Sequence, residues 1–319
     1  MKIDLVYLWV DGSDPKWIKK KNQALKAAGM EQISKQHAHR YHNNDELKYS
    51  LRSAQKFAPW INHIFIVTDN QVPDWLDTDN LKITVIDHRD IIPPELLPVF
   101  SANPLEYSIH KIKGLSEHLL YANDDMFFGR EVTPGYFFTR KGRPIIDVIS
   151  TKKKKIESLA SNESDTDAYW GGILKAKNLV KSIYGDTHNY NWRPAHNIDP
   201  YRKSHIEKMA EHPLINDEIQ KVLGRKFRSR KDLHRTVIHE WMLANNLAVF
   251  RSEGYLSKRL TKFIGSSFPL YTTNARSIEK MLIKPKLFCI NNSGISSDVD
   301  EYNHDFLERQ FPDKSEFEK

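Results

Sequence analysis

The stretch Leu119–Gly129, which reads LLYANDDMFFG, decides the fold. Its apolar first part ends at an amide and two adjacent carboxylates, Asn123, Asp124 and Asp125. A short apolar run that is closed by polar residues is typical of a buried strand. We therefore expect a strand whose polar end lies at the edge of a sheet, where α/β proteins bind their ligands.

Two neighbouring carboxylates, Asp124 and Asp125, make this strand end chemically unusual. Held together, they repel each other and raise each other's pKa unless a positive charge lies between them. A hard divalent cation such as Mg²⁺ or Mn²⁺ is the simplest such charge, because it prefers oxygen ligands. The alternative interpretation is a plain polar turn, since Asn and Asp favour turns. This stretch alone leaves both open.

Three further strands are predicted before it, at Ile3–Val10, Ile61–Thr68 and Leu81–Ile86. Helical patterns at 16–28, 47–57 and 106–115 separate the strands, and residues 72–76 suggest a turn into a short helix. This alternation predicts an α/β, Rossmann-like fold with a mostly parallel sheet flanked by helices. Each strand is followed by an acidic residue: Asp11, Asp69, Asp87 and Asp124. In a parallel sheet those residues lie along one edge.

The pattern changes after about residue 139. Helices are predicted at 174–184, 217–223, 233–245 and 302–311, with short strands near 250 and at 286–290. The lysine run at 151–155 is expected to be a solvated loop, and 160–172 a mobile loop. We therefore predict a Rossmann-like half, residues 1–139, and a mostly helical half, residues 140–319, packed on it.

Composition limits the function classes. The 319 residues carry a formal net charge of +7, which favours an anionic partner; a basic binding module for polyanions or nucleic acid is one alternative. The single cysteine, Cys289, excludes a disulfide framework and a multi-cysteine zinc site within one chain. No apolar run reaches the length of a membrane span, and the start lacks a signal-peptide pattern, so we expect a cytoplasmic location.

Candidate chemistry in the second half comes from three places. His196 lies in a proline-containing loop and is a candidate for proton transfer, although an isolated histidine is more often structural. The stretch Phe227–Asp232 holds three cations before a helix, which suits phosphate, or is a solvated helix start capped by Asp232. Asn291 and Asn292 could line a sugar site or turn the chain. Together with the acidic strand ends, this set suits transfer chemistry on a phosphate-bearing substrate.

Several stretches together resemble the Stealth family, the bacterial capsular-polysaccharide phosphotransferases and the animal lysosomal-enzyme N-acetylglucosamine-1-phosphotransferase. The matching motifs are DLVYLWVDGSDP at 4–15, NDELKYSLRS at 44–53, YANDD at 121–125, AH at 195–196, FRSRKD at 227–232, CINN at 289–292 and FLERQFP at 306–312. The resemblance is dense over 1–130 and sparse between 139 and 190.

This resemblance implies a GT-A-like Rossmann fold and a divalent cation, Mg²⁺ or Mn²⁺. It implies transfer of a sugar 1-phosphate from a nucleotide sugar, UDP-linked, to an acceptor glycan, with release of a nucleoside monophosphate. Residues 1–139 would then bind the nucleotide sugar and the metal, and residues 140–319 the acceptor. We further expect a lipid-linked acceptor, peripheral contact with the inner face of the cell membrane, and no nucleic-acid partner.

The site residues implied by the resemblance follow from the matched positions. Catalytic roles fall to His196 as general base, Arg228, Glu106 and Asp125; nucleotide-sugar binding to Asp11, Gly12, Ser13, Asp14, Arg52 and Asn123; metal binding to Asp124 and Asp125; and further roles to Asp232, Asn291 and Asn292. Three features depart from the family pattern. Lys48 stands where Arg is frequent, and Asn292 stands where Asp is common. A proline usually follows the third-region histidine closely, whereas the next proline after His196 is Pro200. A metal-dependent glycosyltransferase, which transfers the sugar without its phosphate, is the alternative enzyme.

Overall fold

A central five-stranded sheet organises the protein in the computed structural model, which describes residues 1–30, 41, 43–161, 167–185, 191–252, 275–280, 283–290 and 297–319. Its strands are β1 (Ile3–Leu8), β2 (Ile64–Thr68), β3 (Ile83–Asp87), β4 (His118–Asn123) and β8 (Asp199–Arg202), in the order β3-β2-β1-β4-β8. The first four are parallel, and β8 pairs antiparallel with β4. The predicted α/β fold with a mostly parallel sheet is confirmed.

Two smaller sheets complete the strands. β5 (Met126–Phe128) pairs antiparallel with β10 (Leu287–Cys289) directly after the central strand β4. β6 (Ile145–Ser150) lies between β7 (Trp192–Pro194) and β9 (Val249–Ser252). The second half is therefore less helical than predicted, because it adds a strand to the central sheet and builds a sheet of its own.

Helices flank the sheet and fill most of the second half. They are α1 (Pro15–Ala27), α2 (Glu46–Phe57), α3 (His88–Ile91), α4 (Ala102–Glu106), α5 (Pro134–Phe137), α6 (Lys153–Ser161), α7 (Asp167–Tyr184), α8 (Lys203–Ala210), α9 (Pro213–Leu223), α10 (Thr236–Ala244), α11 (Ala275–Glu279) and α12 (Ser297–Gln310). None of the helices in the described part of the chain has the length and apolar character needed to cross a bilayer.

The core lies on both faces of the central sheet. Val6 and Tyr121 point to one face and pack with residues of α8, α9 and α10, whereas Leu5 and Leu120 point to the other and pack with α2. Successive strand residues face opposite sides, so a strand covered on both faces is apolar throughout. This two-sided burial explains why β1 and β4 were recognisable in the sequence.

Three local predictions were wrong. The helix expected over 106–115 is instead α4 followed by a single 3₁₀ turn at Ile109–Lys111, because Ser101 caps the chain earlier by accepting from the Asn103 amide. The lysine run at 151–155 enters α6, whose Ile156 is buried. Residues 72–76 form turns and an isolated bridge from Leu76 to Glu318 rather than a helix.

The predicted mobile loop at 160–172 is also wrong where the structure describes it, since α7 begins at Asp167. Its glycines allow close packing: a Cβ on Gly172 would lie 3.0 Å from Cβ of His234. Small residues in this helix thus bring it against the segment that follows Arg228.

Candidate active site

The carboxyl edge of the central sheet brings the loop after β1 beside the end of β4. These two strands are neighbours and parallel, with Leu8 opposite Asn123. The loop Asp11–Asp14 and the pair Asp124–Asp125 therefore leave the sheet at the same edge, where α/β proteins bind ligands. The other two acidic strand ends serve the fold instead: Asp69 pairs with Lys20 at 2.5 Å, and Asp87 caps α3.

The loop after β1 is closed by its own polar groups. The Asp11 carboxylate accepts hydrogen bonds from the backbone N–H and the hydroxyl of Ser13, at 2.8 and 2.6 Å. Gln71 ties the two ends of the loop, since its amide donates to the Asp11 carbonyl at 2.9 Å and to the Asp14 carboxylate at 3.0 Å. These contacts, with the capping of α1 by Asp14, lower the pKa of Asp14.

Gly12 is required by the space around it. Its N–H donates to the carbonyl of Tyr41 at 2.9 Å, and a Cβ at this position would lie 2.0 Å from that oxygen. Tyr41 in turn packs with Trp17, whose ring meets Phe100, and Phe100 stacks on Phe227 at 5.1 Å. This aromatic cluster connects the loop after β1 to the segment that contains Arg228.

Asp124 and Asp125 lie in the turn between β4 and β5. One oxygen of Asp125 accepts from the thiol of Cys289 at 3.2 Å, and the other is buried with no hydrogen-bond partner in the described part of the chain. Burial raises the pKa of Asp125 to about 6, with Cys289 opposing and Glu46 adding to the shift. Burial, then Asp125, then Glu46 raise the pKa of Asp124 well above its usual range. The positive charge of Arg235 only partly offsets these effects at Asp125, so the turn brings together acidic groups whose ionisation is disfavoured.

His196 joins this carboxylate from the second half. It follows β7, and ligand atoms of Asp125, His196 and Cys289 all lie within 4.8 Å of one another. Carboxylate, imidazole and thiolate are the groups that divalent cations of the first transition row accept in proteins. A buried carboxylate oxygen without a partner and three converging donors fit a divalent cation at this place.

Glu106 is held by a buried network. Its Oε1 accepts from Arg235 at 3.0 Å and lies at the same distance from the hydroxyl of Tyr121, while its Oε2 is buried without a partner in the described residues. Arg235 also donates to Asp199 at 3.1 Å, and the Tyr121 hydroxyl lies 2.9 Å from the side-chain oxygen of Asn123. One Glu106 oxygen is therefore fixed, and the other remains able to accept a hydrogen bond.

Arg228 is electrostatically coupled to acidic groups of both halves. Burial lowers its pKa, while the carboxylates of Glu106 and Asp232 oppose that shift. Burial, with positive charges that include Arg228 and His196, also lowers the pKa of His234 well below its usual range. Of these second-half residues, His196 is the one whose ring nitrogen lies within 4.8 Å of Asp125.

Two predicted site residues have other contacts. The guanidinium of Arg52 donates to both carboxylate oxygens of Glu318 at 2.8 Å and to the Phe311 carbonyl at 2.7 Å, so it anchors the C-terminal tail. Asp232 accepts from Arg225, Asn103 and the Ser229 amide, and so it organises the loop around Arg228. Asn291 and Asn292 lie outside the described residues.

Sequence patterns missed Cys289, Arg235 and Asp199 as site residues. Cys289 stands in a matched motif, but its contact with Asp125 depends on the pairing of β10 with β5. Arg235 follows a histidine and Asp199 precedes a proline, in segments without a recognisable motif. Their ion pair becomes visible only in the structure, where both residues are buried. The polar neighbours of Arg235, His234 and Thr236, leave no local pattern that singles it out.

Comparison with known proteins decides the family. The models of Stealth protein conserved regions 1 and 2 match residues 1–29 and 40–146. The capsular polysaccharide phosphotransferase fcs1 of Haemophilus influenzae is 32% identical over 92% of this chain and 79% of its own length. WcwK of Streptococcus pneumoniae, also a capsular polysaccharide phosphotransferase, is 32% identical over 99% of both chains. This chain belongs to the Stealth family.

Two further comparisons concern an exopolysaccharide relative and one solved structure. The exopolysaccharide phosphotransferase cps2G of Lactiplantibacillus plantarum is 29% identical over 99% of this chain and 96% of its own length. A solved galactosyltransferase, LgtC, in complex with donor and acceptor sugar analogues, aligns over 98% of this chain and 96% of its own, with a TM-score of 0.46 and 9% identity. The chain is a transferase of the sugar-phosphate class that functions in polysaccharide synthesis.

Proposed function

We propose that this Stealth protein transfers a sugar 1-phosphate from a UDP-sugar to a hydroxyl of an acceptor glycan. The product is a phosphodiester in a capsular or other cell-surface polysaccharide, and UMP leaves. The observation that supports this most strongly is the convergence of the Asp125 carboxylate and the His196 imidazole within 4.8 Å at the carboxyl edge of the sheet. The phosphotransferase names of the relatives support the reaction class.

Donor binding is proposed for the loop after β1. Gly12 and Ser13 would contact the nucleotide, with Asp11 and Asp14 holding the loop closed and Asn123 at the facing strand end. Asp124 and Asp125 would hold the divalent cation. When bound, that cation supplies positive charge against the pyrophosphate, as metals do in other phosphoryl transfers.

Bond changes in the proposed reaction are simple. The acceptor oxygen attacks the β-phosphorus, the bond from that phosphorus to the UMP oxygen breaks, and the bond between the sugar and its phosphate is kept. His196 would accept the hydroxyl proton, because an imidazole titrates near neutral pH. Arg228 would stabilise charge on the transferring phosphoryl group, and the unpartnered oxygen of Glu106 would orient the acceptor hydroxyl.

The nucleotide that leaves tests this reaction. A panel of nucleotide sugars is incubated with acceptor glycan and Mg²⁺ or Mn²⁺, and the released nucleotide is identified. We expect UMP, together with a phosphodiester resonance in the phosphorus-31 spectrum of the product. Release of UDP with no diester would instead make the protein a glycosyltransferase that transfers the sugar alone.

Two substitutions test the site within that assay. Asp125→Asn and His196→Ala should each lower turnover by at least about 100-fold, the usual scale for loss of a metal or a general base. Asp87→Asn, at the end of a neighbouring strand, is the matched control, because Asn can still cap α3. Near-native turnover of His196→Ala would remove His196 from the proton transfer.

Location and acceptor form a separate part of the proposal. We propose a cytoplasmic protein that meets lipid-linked acceptor glycans at the inner face of the membrane, because its net charge of +7 favours anionic surfaces. Sedimentation with anionic lipid vesicles at low salt tests this contact. Binding equal to that of neutral vesicles would contradict it.

A further inference from the structure

Cys289 is placed against the carboxylate that we assign to the cation. Pairing of β10 with β5 sets Cys289 opposite Met126, and the following amide of Ile290 donates to the Asp125 carbonyl at 3.0 Å. This backbone register brings the thiol to 3.2 Å from Oδ2 of Asp125, and Cys289 has no exposed surface. The contact is therefore fixed by two chain segments rather than by a mobile side chain.

A second observation points to a ligand at this place. Oδ1 of Asp125 is buried without a hydrogen-bond partner in the part of the chain that the structure describes. Thiol, imidazole and carboxylate donor atoms lie within 4.8 Å of one another around it. A buried carboxylate oxygen normally has a partner, and one that lies among potential metal ligands fits the binding of a cation.

We propose that Cys289 is a ligand of the divalent cation that Asp125 binds, so that this site takes Mn²⁺, Co²⁺ or Zn²⁺ in preference to Mg²⁺. The inference rests on the proposed function and specifies its cation. Thiolate sulfur suits borderline and soft ions, whereas Mg²⁺ is held by oxygen and keeps its water. On binding, the thiol proton passes to solvent and the sulfur anion bonds the cation. The ring nitrogen of His196 also lies within 4.8 Å of the other two donor atoms, but we assign it to proton transfer and not to the coordination, because the proposed reaction needs that nitrogen for a proton.

Absorption spectroscopy with Co²⁺ tests the proposal without any substrate. A thiolate bound to Co²⁺ gives a charge-transfer band in the near ultraviolet, and Cys289 is the single cysteine of the chain, so the band has one possible source. We expect a band that saturates at one Co²⁺ per protein. Stoichiometric Co²⁺ binding without this band would overturn the proposal, and that result needs no variant.

Variants then assign the ligands. Cys289→Ser should lose the band and bind Cd²⁺ at least tenfold more weakly, with Mg²⁺ affinity changed less than threefold, as measured by calorimetry on protein whose circular dichroism matches the parent. Asp125→Asn should weaken Co²⁺ binding, whereas Asp87→Asn should not. Equal Cd²⁺ affinity of Cys289→Ser and the parent would mean that the thiol only donates a hydrogen bond to Asp125.

One further variant separates this proposal from the proposed function. His196→Gln should keep the Co²⁺ band while losing UMP release. Loss of the Co²⁺ band in His196→Gln would indicate that His196 is a metal ligand. That result would contradict both its assignment as a non-ligand and its proposed role as general base. Conversely, absence of UMP release from any nucleotide sugar, with the band intact, would contradict the proposed reaction and leave the Cys289 ligand in place.

Discussion

The Asp125 side chain, which we propose as a cation ligand, is held in a position that disfavours its ionised form. Burial raises its pKa to about 6, and the adjacent Asp124 is shifted further in the same direction. A carboxyl whose pKa is higher in the folded than in the unfolded protein destabilises the fold whenever it is ionised. The ionised Asp125 carboxylate therefore opposes folding of the metal-free protein at neutral pH.

Replacing Asp125 by Asn should consequently stabilise the metal-free protein. We expect the free energy of unfolding at pH 7 to rise by about 1–2 kcal/mol, a value discounted for partial solvent access from about 1.4 kcal/mol per pKa unit. The difference from the parent should shrink as pH falls from 7 through 6 toward 4, because Asp125 becomes protonated in the folded state. Denaturant titrations of both proteins in chelator, across that pH range, measure it; a destabilised Asp125→Asn would contradict the expectation.

Single residues differ in how far the sequence could locate them. Asp125 and His196 stand in recognisable local patterns, an apolar strand with an acidic end and a histidine in a proline-containing loop. Cys289 and Arg235 do not, because their significance comes from strand pairing and ion pairs across more than one hundred residues. Local sequence patterns can identify side chains that are capable of catalysis or metal binding. They cannot identify which residues distant in sequence those side chains contact.

At the scale of elements, the loop after β1 depends on a glycine. A Cβ at Gly12 would meet the Tyr41 carbonyl at 2.0 Å, and backbone cannot move aside as a flexible side chain can. We expect Gly12→Ala to lower stability by about 1–3 kcal/mol, the range for overpacking, and to raise the KM for the nucleotide sugar. Thermal unfolding and donor titrations measure the two effects.

Gly135, within α5, is the control for that substitution, because its nearest neighbour would lie 3.7 Å from an added Cβ. Ala at this helical position should be neutral or stabilising by up to about 1 kcal/mol. Equal effects of the two substitutions would show that the contact with Tyr41 is not what constrains Gly12.

The C-terminal tail is held by a buried ion pair. Arg52 grips both oxygens of Glu318, whose side chain is 2% exposed; despite burial, hydrogen bonds from Arg52 and Ser315 lower the pKa of Glu318. Glu318→Gln should cost about 3 kcal/mol, the lower end of the range for a broken buried pair, because the buried Arg52 would keep only the exposed Glu308 at 3.6 Å as an ionic partner. The folded-state pKa lies below the unfolded value, so this stabilisation is complete above pH 4.5 and is lost on further acidification.

Glu316 provides the comparison for Glu318. Glu316 lies in the same tail and pairs with Lys82 at 3.0 Å. Both side chains are about half exposed, Glu316 at 44% and Lys82 at 55%. Glu316→Gln should change the free energy of unfolding by less than about 0.5 kcal/mol. Urea titrations of Glu316→Gln and Glu318→Gln measure the two changes in the free energy of unfolding. Equal decreases would contradict the stronger contribution expected from the buried pair of Arg52 and Glu318.

Elements were predictable where burial was two-sided. Strands β1 to β4 are mostly apolar runs with polar ends, and their parallel direction was predicted from the alternation of strands and helices. Their order in the sheet was not predicted. The helix expected over 106–115 failed because Glu106 and Tyr107 are drawn to Arg235 and the Leu233 carbonyl, contacts that a local pattern cannot contain. The strand β8 was missed because its polar sequence is satisfied by the same buried network.

At the scale of the whole molecule, the two halves share one core. Val6 and Tyr121 of the first half pack in the same cluster as Ile206, Ile238 and Met242 of the second. β8 also completes the central sheet beside β4. The secondary-structure pattern of the sequence therefore changes near residue 139, but apolar contacts join the two halves in the structure.

We therefore expect the protein to unfold in one cooperative step. Transitions followed by far-ultraviolet circular dichroism and by tryptophan fluorescence in urea should coincide, because neither half retains its core alone. Trp9 reports on the first half and Trp192 and Trp241 on the second, so the fluorescence samples both. Two separated transitions would show that the halves are independent folding units.

The enclosed position of Cys289 also makes this chain convenient for site-specific labelling. A thiol without solvent access and hydrogen-bonded to a carboxylate reacts poorly with maleimide reagents. A cysteine introduced at an exposed place such as Leu81, which is 93% exposed, would therefore carry a dye or spin label alone, with no need to remove the native sulfur. Distances between pairs of such labels could report whether the two halves of the chain move relative to each other when a nucleotide sugar is added.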